Sequence, residues 1–152
     1  MRLAINGWFW NSPATGSGQY TRQLVEGLVE LDPDLQIILI SPSDGEDEDE
    51  HEVPDLPASC VLHHVPGSRS NLGKVRFEQV TFPQACARVD ADIIHVPYWG
   101  PPARSPVPMV VTIHDVIPLV LRVPAGGYRG GPLQCLYTSL VSASARGATL
   151  VL

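Results

Sequence analysis

Met109-Val110-Val111-Thr112-Ile113-His114-Asp115-Val116 is an apolar run that ends in a titratable pair. It reads as a buried strand running out into a polar loop. A second run of the same kind, Ala91-Asp92-Ile93-Ile94-His95-Val96, reaches a histidine and leads into Pro97-Tyr98-Trp99-Gly100-Pro101-Pro102. In an open parallel α/β sheet the carboxyl ends of the strands form one edge, and ligands bind along it. Two strands that release imidazoles and aromatic rings at one edge have the layout of a site rather than of packing alone.

Outward from these two strands the pattern alternates. Arg2 to Asn6 is a short apolar strand, and Gln19 to Leu31 a helix with Tyr20, Leu24, Leu28 and Leu31 at helical spacing and Asp32-Pro33 as its stop. Gln36 to Ile40 is apolar almost without interruption, which predicts a strand covered on both faces. Cys60 to Val65 is a third strand. Leu72 to Val80 is helical, and Pro83 is expected to kink that helix or to start a new one running to Arg88. Ile93–Val96 and Met109–Ile113 are strands four and five. Leu133, Leu136, Tyr137, Leu140 and Val141 mark a further helix face, and Ala148 to Leu152 a last strand.

Strands alternating with helices need crossover connections. The expected fold class is therefore α/β: a Rossmann-like three-layer domain with a mainly parallel central sheet and helices on both faces. Residues 1–152 read as one domain. A chain that stops on a strand with no helix after it is expected to be truncated at its C-terminal end, the first half of something larger. The Pro/Gly-rich segments 97–108 and 118–132 read as long loops at the carboxyl edge, where long loops are more often functional than idle.

Composition narrows the function classes. The length suffices for a substantial core, and 44% hydrophobic with 17% charged residues is the balance of a soluble globular protein. No apolar run approaches the ~20 residues that span a bilayer. Asn6 and Gly7 interrupt the N-terminal run before a signal-peptide core forms, so the expected location is cytoplasmic. Cys60, Cys86 and Cys135 are widely spaced with no C-x-x-C pair, which argues against a disulfide framework and a cysteine zinc site. His63 and His64 are adjacent on a strand, point to opposite faces and cannot chelate one ion together. His51 reads as solvated, and no metal requirement is indicated.

Of the net charge of −6, seven acidic residues (Asp44, Glu46, Asp47, Glu48, Asp49, Glu50 and Glu52) fall in one run, and without them ten basic residues face nine acidic ones. The acidic loop, 43–58, reads as a solvated surface segment, with a calcium or basic-partner site as the outside alternative. Lys74 is the only lysine and there is no basic stripe, so nucleic acid is not indicated. Arg69, Lys74 and Arg76 read as ordinary surface charge. They are few for the polybasic patch that holds a protein on a membrane, so peripheral membrane contact has little support.

Between the first strand and its helix lies Gly7-Trp8-Phe9-Trp10-Asn11-Ser12-Pro13-Ala14-Thr15-Gly16-Ser17-Gly18. Glycines let backbone approach a ligand closely, and a helix N-terminus offers unpaired N–H groups and a positive dipole end. A phosphate fits there. The run lacks the third glycine of the dinucleotide fingerprint and the Gly-Lys-Ser/Thr of a P-loop, so an NAD-binding domain is disfavoured. A flexible turn with Ser17 capping the helix explains it equally well.

Taken in order, the N-terminal strand, the Gly16-Ser17-Gly18-Gln19-Tyr20 loop opening a helix, Glu78-Gln79 followed by Pro83, Asp92-Ile93-Ile94-His95-Val96-Pro97, and Val111-Thr112-Ile113-His114-Asp115 with Pro118 carry a specific likeness. The sequence resembles the N-terminal domain of glycosyltransferase family 4 (glycosyltransferase group 1, retaining GT-B enzymes) over essentially its whole length. The resemblance implies two Rossmann-like domains facing each other across a cleft, with the N-terminal one mainly holding the acceptor. It places the Gly16/Gly18 loop near the donor diphosphate and His114 near the reacting sugar. It also implies a C-terminal domain, with two glutamates seven residues apart and a basic pair, that makes most donor contacts and is not in this sequence. Activity of this chain by itself is thus not expected.

The expected function is the acceptor-binding part of an enzyme that moves a sugar from a nucleotide-sugar donor to a glycan or lipid acceptor, with no cofactor besides that donor substrate. Its candidate residues are His114 as the catalytic group, Gly16, Ser17 and Gly18 for the donor diphosphate, and His95, Tyr98, Trp99 and Asp115 for the acceptor. An imidazole, with a reference pKa of ~6.5, donates a hydrogen bond in either protonation state. Each residue has a plain structural reading beside the functional one. His114 as a backbone-satisfied strand-end histidine is the less favoured of its two, and for His95 the structural reading leads. Tyr98 and Trp99 stack on a sugar or are ordinary loop aromatics, and Asp115 orients His114 or caps a turn. Glu78 and Gln79 read as helix surface or cap before acceptor contact. The alternatives to an enzyme are a non-enzymatic, flavodoxin-like or Rossmann-like module for a small ligand or protein, and an inactive fragment. Donor, acceptor and oligomeric state are not legible in the sequence.

Overall fold

The computed structural model describes residues 1–43, 56–115 and 132–152, with the side chains of 132–134 left aside. Most of the acidic loop (44–55), the loop 118–131, and Val116, Pro118 and the Leu133 side chain lie outside the described residues.

Six strands form one all-parallel sheet: β1 (Arg2–Asn6), β2 (Gln36–Ser43), β3 (Cys60–Pro66), β4 (Ile93–Val96), β5 (Met109–Val111) and β6 (Leu150–Val151), in the spatial order β3-β2-β1-β4-β5-β6. The chain winds from β1 to one edge, returns to β4 beside β1, then winds the other way. Such an order reverses at the β1/β4 junction, where α/β sheets open a crevice at their carboxyl ends. The expected fold class holds: this is a Rossmann-like α/β three-layer domain.

One face of the sheet carries Leu3, Ile5, Ile37, Leu39 and Cys60, packed with Trp10, Leu35 and the helix α1 (Gly16–Leu31). Here the structure corrects the sequence reading. The buried positions of α1 are Gly18, Thr21 and Val25, with Leu28 and Val29 packed behind them, whereas Leu31 is exposed. The stripe runs one residue round from the expected Tyr20-Leu24-Leu28-Leu31 face, and Tyr20 is turned toward another partner.

The opposite face carries Ala4, Ile40, Val65, Ile94, Val96, Met109 and Val111, covered by Phe77, Phe82, Ala85 and Cys86. A fully buried side chain of this size contributes about 1.5–3 kcal/mol, so Phe77 and Phe82 are principal contributors on that side. They belong to a continuous helical run: α2 (Asn71–Arg76), a five-residue π-helical turn (Phe77–Thr81) and α3 (Phe82–Arg88). Pro83 lacks the N–H that would bond back along the helix. The chain answers with a wider turn, in which Phe82 N–H donates to Phe77 O, five residues back, and a new α-helical segment with the proline near its start runs to Arg88, as expected. The last helix, α4 (Pro132–Ala145), buries Val141 and Ser144 and leaves Leu136 exposed, and its Tyr137 reaches the α2 side of the sheet. Among the described residues no helix is long and apolar enough to cross a membrane.

Candidate functional site

The carboxyl ends of β1 and β4, and the segment after β5, converge at one edge. From β1 the chain passes through Trp8-Phe9-Trp10 and enters α1. Thr15 caps that helix: its Oγ1 accepts from Gly18 N at 3.0 Å and its carbonyl from Gln19 N at 2.9 Å. The cap is therefore Thr15 and not Ser17, whose carbonyl accepts from Thr21 Oγ1 at 2.7 Å within the helix. The two glycines have different reasons. A Cβ on Gly18 would overlap the Ser12 carbonyl and sit 2.8 Å from Phe9 O, so Gly18 lets the loop fold against the helix. Gly16 has nothing within 4 Å of a would-be Cβ. As the first residues of the helix, Gly16 and Ser17 have N–H groups with no intrahelical acceptor.

His114 packs against α1 at Tyr20, one turn beyond that opening. The rings of Tyr20 and His114 meet edge to face, with centroids 4.5 Å apart at 76°, a contact worth about 0.5–1.5 kcal/mol beyond area burial. Tyr20 OH lies 3.2 Å from Thr112 Oγ1, which in turn lies 2.9 Å from His95 Nε2. Tyr20, Thr112 and His95 thus form a hydrogen-bonded line across the edge, with His114 resting on its end. His95 itself is buried, and burial pulls its pKa down to about 4, so the ring is neutral near neutral pH. Of its two expected readings, structural first and acceptor lining second, the burial and the bond to Thr112 favour the structural one.

Strand β5 covers Met109–Val111, and Thr112 N–H donates to Val96 O and Ile113 N–H to Leu152 O, both at 2.9 Å, so backbone pairing with the sheet runs on to the expected Ile113. His114 is exposed, and its Nε2 lies 2.9 Å from Pro97 O. A carbonyl only accepts, so Nε2 carries the hydrogen and Nδ1 is left as the second nitrogen of the ring. In that tautomer the neutral ring offers a ligand a lone pair, and only the imidazolium offers a second N–H. The expected capacity to donate in either protonation state is narrowed accordingly. Asp115 is exposed beside it.

The loop after β4 faces inward. Tyr98 is buried, its OH bonded to Asn6 Oδ1 at 3.2 Å and its ring meeting Phe9 edge-on at 4.9 Å. Stacking of Tyr98 on a sugar is therefore corrected, since its ring is occupied by protein. Trp99 is half-buried, and its Nε1 has no partner among the described residues. Gln79 holds the same loop, donating to Pro101 O at 3.1 Å and accepting from Ala103 N at 2.9 Å.

Behind these rings lies a group that sequence reasoning placed on the surface. Glu78 is 0% exposed and pairs with Lys74 one turn earlier. Tyr137 OH lies 3.1 and 3.0 Å from its two oxygens and accepts from Lys74 Nζ at 2.8 Å. The Lys74 ammonium sits 4.8 Å from the Tyr98 ring centroid, 5.1 Å from Tyr137, 5.8 Å from Phe9 and 6.0 Å from Trp8. Desolvation raises the Glu78 pKa against the opposing pull of Lys74. Burial, and then the Glu78 charge, raise that of Tyr137. Gly100 is part of this arrangement, because a Cβ there would run into Glu78 Oε1. Of the other two cations, Arg69 lies over the Trp8 ring at 6.0 Å and donates to Trp8 O at 3.2 Å, while Arg76 is exposed. The i, i+4 spacing of Lys74 and Glu78 was a visible signal, but only the contacts from residues 8–9, 98 and 137 make it internal.

Past the end of β3, a groove of about 260 Å³ is lined by Pro66, Gly67, Ser70, Leu72, Arg76 and Phe77, among others. Among the described residues no three His, Cys, Asp or Glu side chains are grouped to hold a metal ion, and His63 and His64 sit at adjacent positions of β3, paired with Ile40 and Ser41.

With this geometry in view, comparison with known families is decisive for class. The chain belongs to the glycosyl transferase 4-like domain family, whose model matches residues 15–152. No curated protein matches it.

Proposed function

We propose that this chain is the N-terminal, acceptor-binding part of a retaining glycosyltransferase that moves a sugar from a nucleotide-sugar donor to a glycan or lipid acceptor. The observation that carries the reading is the contact of His114 with Tyr20 one turn into α1, which supports a common rim for the strand-end imidazole and the start of that helix. That rim lies at the carboxyl edge beside the β1/β4 reversal, where a sheet of this order binds ligands.

The residue types suit the chemistry. Departure of a nucleoside diphosphate leaves charge on phosphate oxygens. Fixed N–H donors at a helix start stabilise such charge without proton transfer, which assigns the amides of Gly16 and Ser17 to the donor side. His114 Nδ1 then meets a sugar hydroxyl as an acceptor, or a phosphate oxygen when the ring is protonated. Trp99 and Asp115 remain on the acceptor side of the reading, whereas His95 and Tyr98 support the rim from within. The donor-binding domain is assigned to a separate stretch of protein.

The test is acceptor-dependent release of nucleoside diphosphate from a panel of sugar nucleotides by the full-length protein. Release with at least one donor–acceptor pair supports the reading. No release and no calorimetric heat with any donor, beside tight binding to a protein, favours the binding-module alternative.

A further inference from the structure

We infer that Tyr20 is a positioning residue, which sets the ring of His114 so that Nδ1 is the atom presented to a sugar hydroxyl; this rests on the glycosyltransferase reading of the same rim. Two contacts fix the imidazole, and a third fixes Tyr20. Pro97 O takes the Nε2 hydrogen at 2.9 Å and so selects the tautomer. The Tyr20 ring closes one side of the imidazole edge-on at 4.5 Å. The Tyr20 hydroxyl is in turn held at 3.2 Å from Thr112 Oγ1, itself 2.9 Å from His95 Nε2.

The consequence is a division of labour among β4, the segment that follows β5 and the start of α1. His95 is buried and neutral, and it anchors Thr112. Thr112 anchors the Tyr20 hydroxyl, and Tyr20 limits the rotation of the exposed His114 ring about its hydrogen bond to Pro97 O. Tyr20 lies on the helix whose first turn carries Gly16 and Ser17.

The test uses Tyr20→Leu and Tyr20→Phe in the full chain labelled with ¹⁵N-histidine. Nitrogen–proton correlation spectra of the His114 ring should show a single Nε2–H tautomer and a proton displaced by the Tyr20 ring current in the parent. Tyr20→Phe should keep the displacement, and Tyr20→Leu should lose it and mix the tautomers, with circular dichroism unchanged. In the full-length protein Tyr20→Leu should lower kcat roughly 10- to 100-fold, as a misplaced reacting group does, with the donor KM within about twofold. Added to His114→Ala it should cost nothing more. An unchanged tautomer and shift in Tyr20→Leu overturns the proposal whether or not sugar transfer is found. A further loss on top of His114→Ala also overturns it, because Tyr20 would then act independently of the imidazole. Absence of transfer by the parent protein counts against the enzymatic reading alone, since the spectra decide the positioning.

Discussion

Thr112 Oγ1 lies 2.9 Å from Nε2 of His95, a bond that ties the segment just beyond β5 to the interior of β4. It serves a ring that burial keeps neutral, with a pKa near 4 instead of its ordinary 6.5. In the unfolded chain the same imidazole takes up a proton at the ordinary value, so between those two pH values the unfolded state binds more protons than the folded one. Stability is then complete above pH 6.5 and falls as pH drops from 6.5 toward 4. The span corresponds to about 3 kcal/mol. Urea unfolding across that window should show the decline, and His95→Asn should flatten it. An equal slope in both proteins would remove His95 as its source.

Breaking the Lys74–Glu78 pair should be costly. Removing one partner of a buried pair typically loses about 3–5 kcal/mol, because the other charge is left behind. Lys74→Met leaves Glu78 in a site whose pKa is already raised by desolvation and no longer held down by the ammonium. The carboxyl then folds best protonated, so the loss should grow as pH rises, and urea midpoints of Lys74→Met should separate further from the parent at pH 8 than at pH 5. A loss independent of pH would mean that Lys74 matters here by packing on the rings of Tyr98 and Tyr137 rather than by charge.

The glycines at the start of α1 should part company. Gly18→Ala drives a methyl group into the Ser12 carbonyl and should lower the unfolding midpoint by the equivalent of about 1–3 kcal/mol, the range for overpacking. Gly16→Ala meets open space and should leave stability within about 1 kcal/mol of the parent. Loss of donor binding in a stable Gly16→Ala protein would then report on the ligand. The Thr15 cap offers a third point on the same helix: Thr15→Ala should cost about 0.5–2 kcal/mol by removing the bond to Gly18 N.

The sequence reading reached the sheet more readily than the site. Ile37–Ile40 and Ile93–Val96 are sandwiched between two helical layers, so their apolar runs are nearly unbroken and their boundaries show. His114 and the opening of α1 were visible as well, because strand ends and helix starts mark the chain locally. Tyr20 falls at helical spacing with Leu24, Leu28 and Leu31, which marks a helix but gives this residue no role of its own. Its real partners, Thr112 and His114, are about ninety residues away. Lys74 and Glu78 look like an exposed i, i+4 pair for the same reason: their burial depends on Trp8, Phe9, Tyr98 and Tyr137, which no local window contains. Tyr98 erred in the opposite direction, since an aromatic in a Pro/Gly-rich loop gives no sign that Asn6 and Phe9 draw it inward.

The most direct test of the account is turnover of sugar nucleotide by the full-length protein carrying His114→Ala. The account expects kcat to fall roughly 10²- to 10³-fold, the usual loss when one polar group that stabilises the transition state is removed, with the unfolding midpoint lowered by the equivalent of only about 1–2 kcal/mol, because His114 is exposed and loses one ring contact to Tyr20 and one hydrogen bond to Pro97 O. Turnover equal to that of the parent would contradict it.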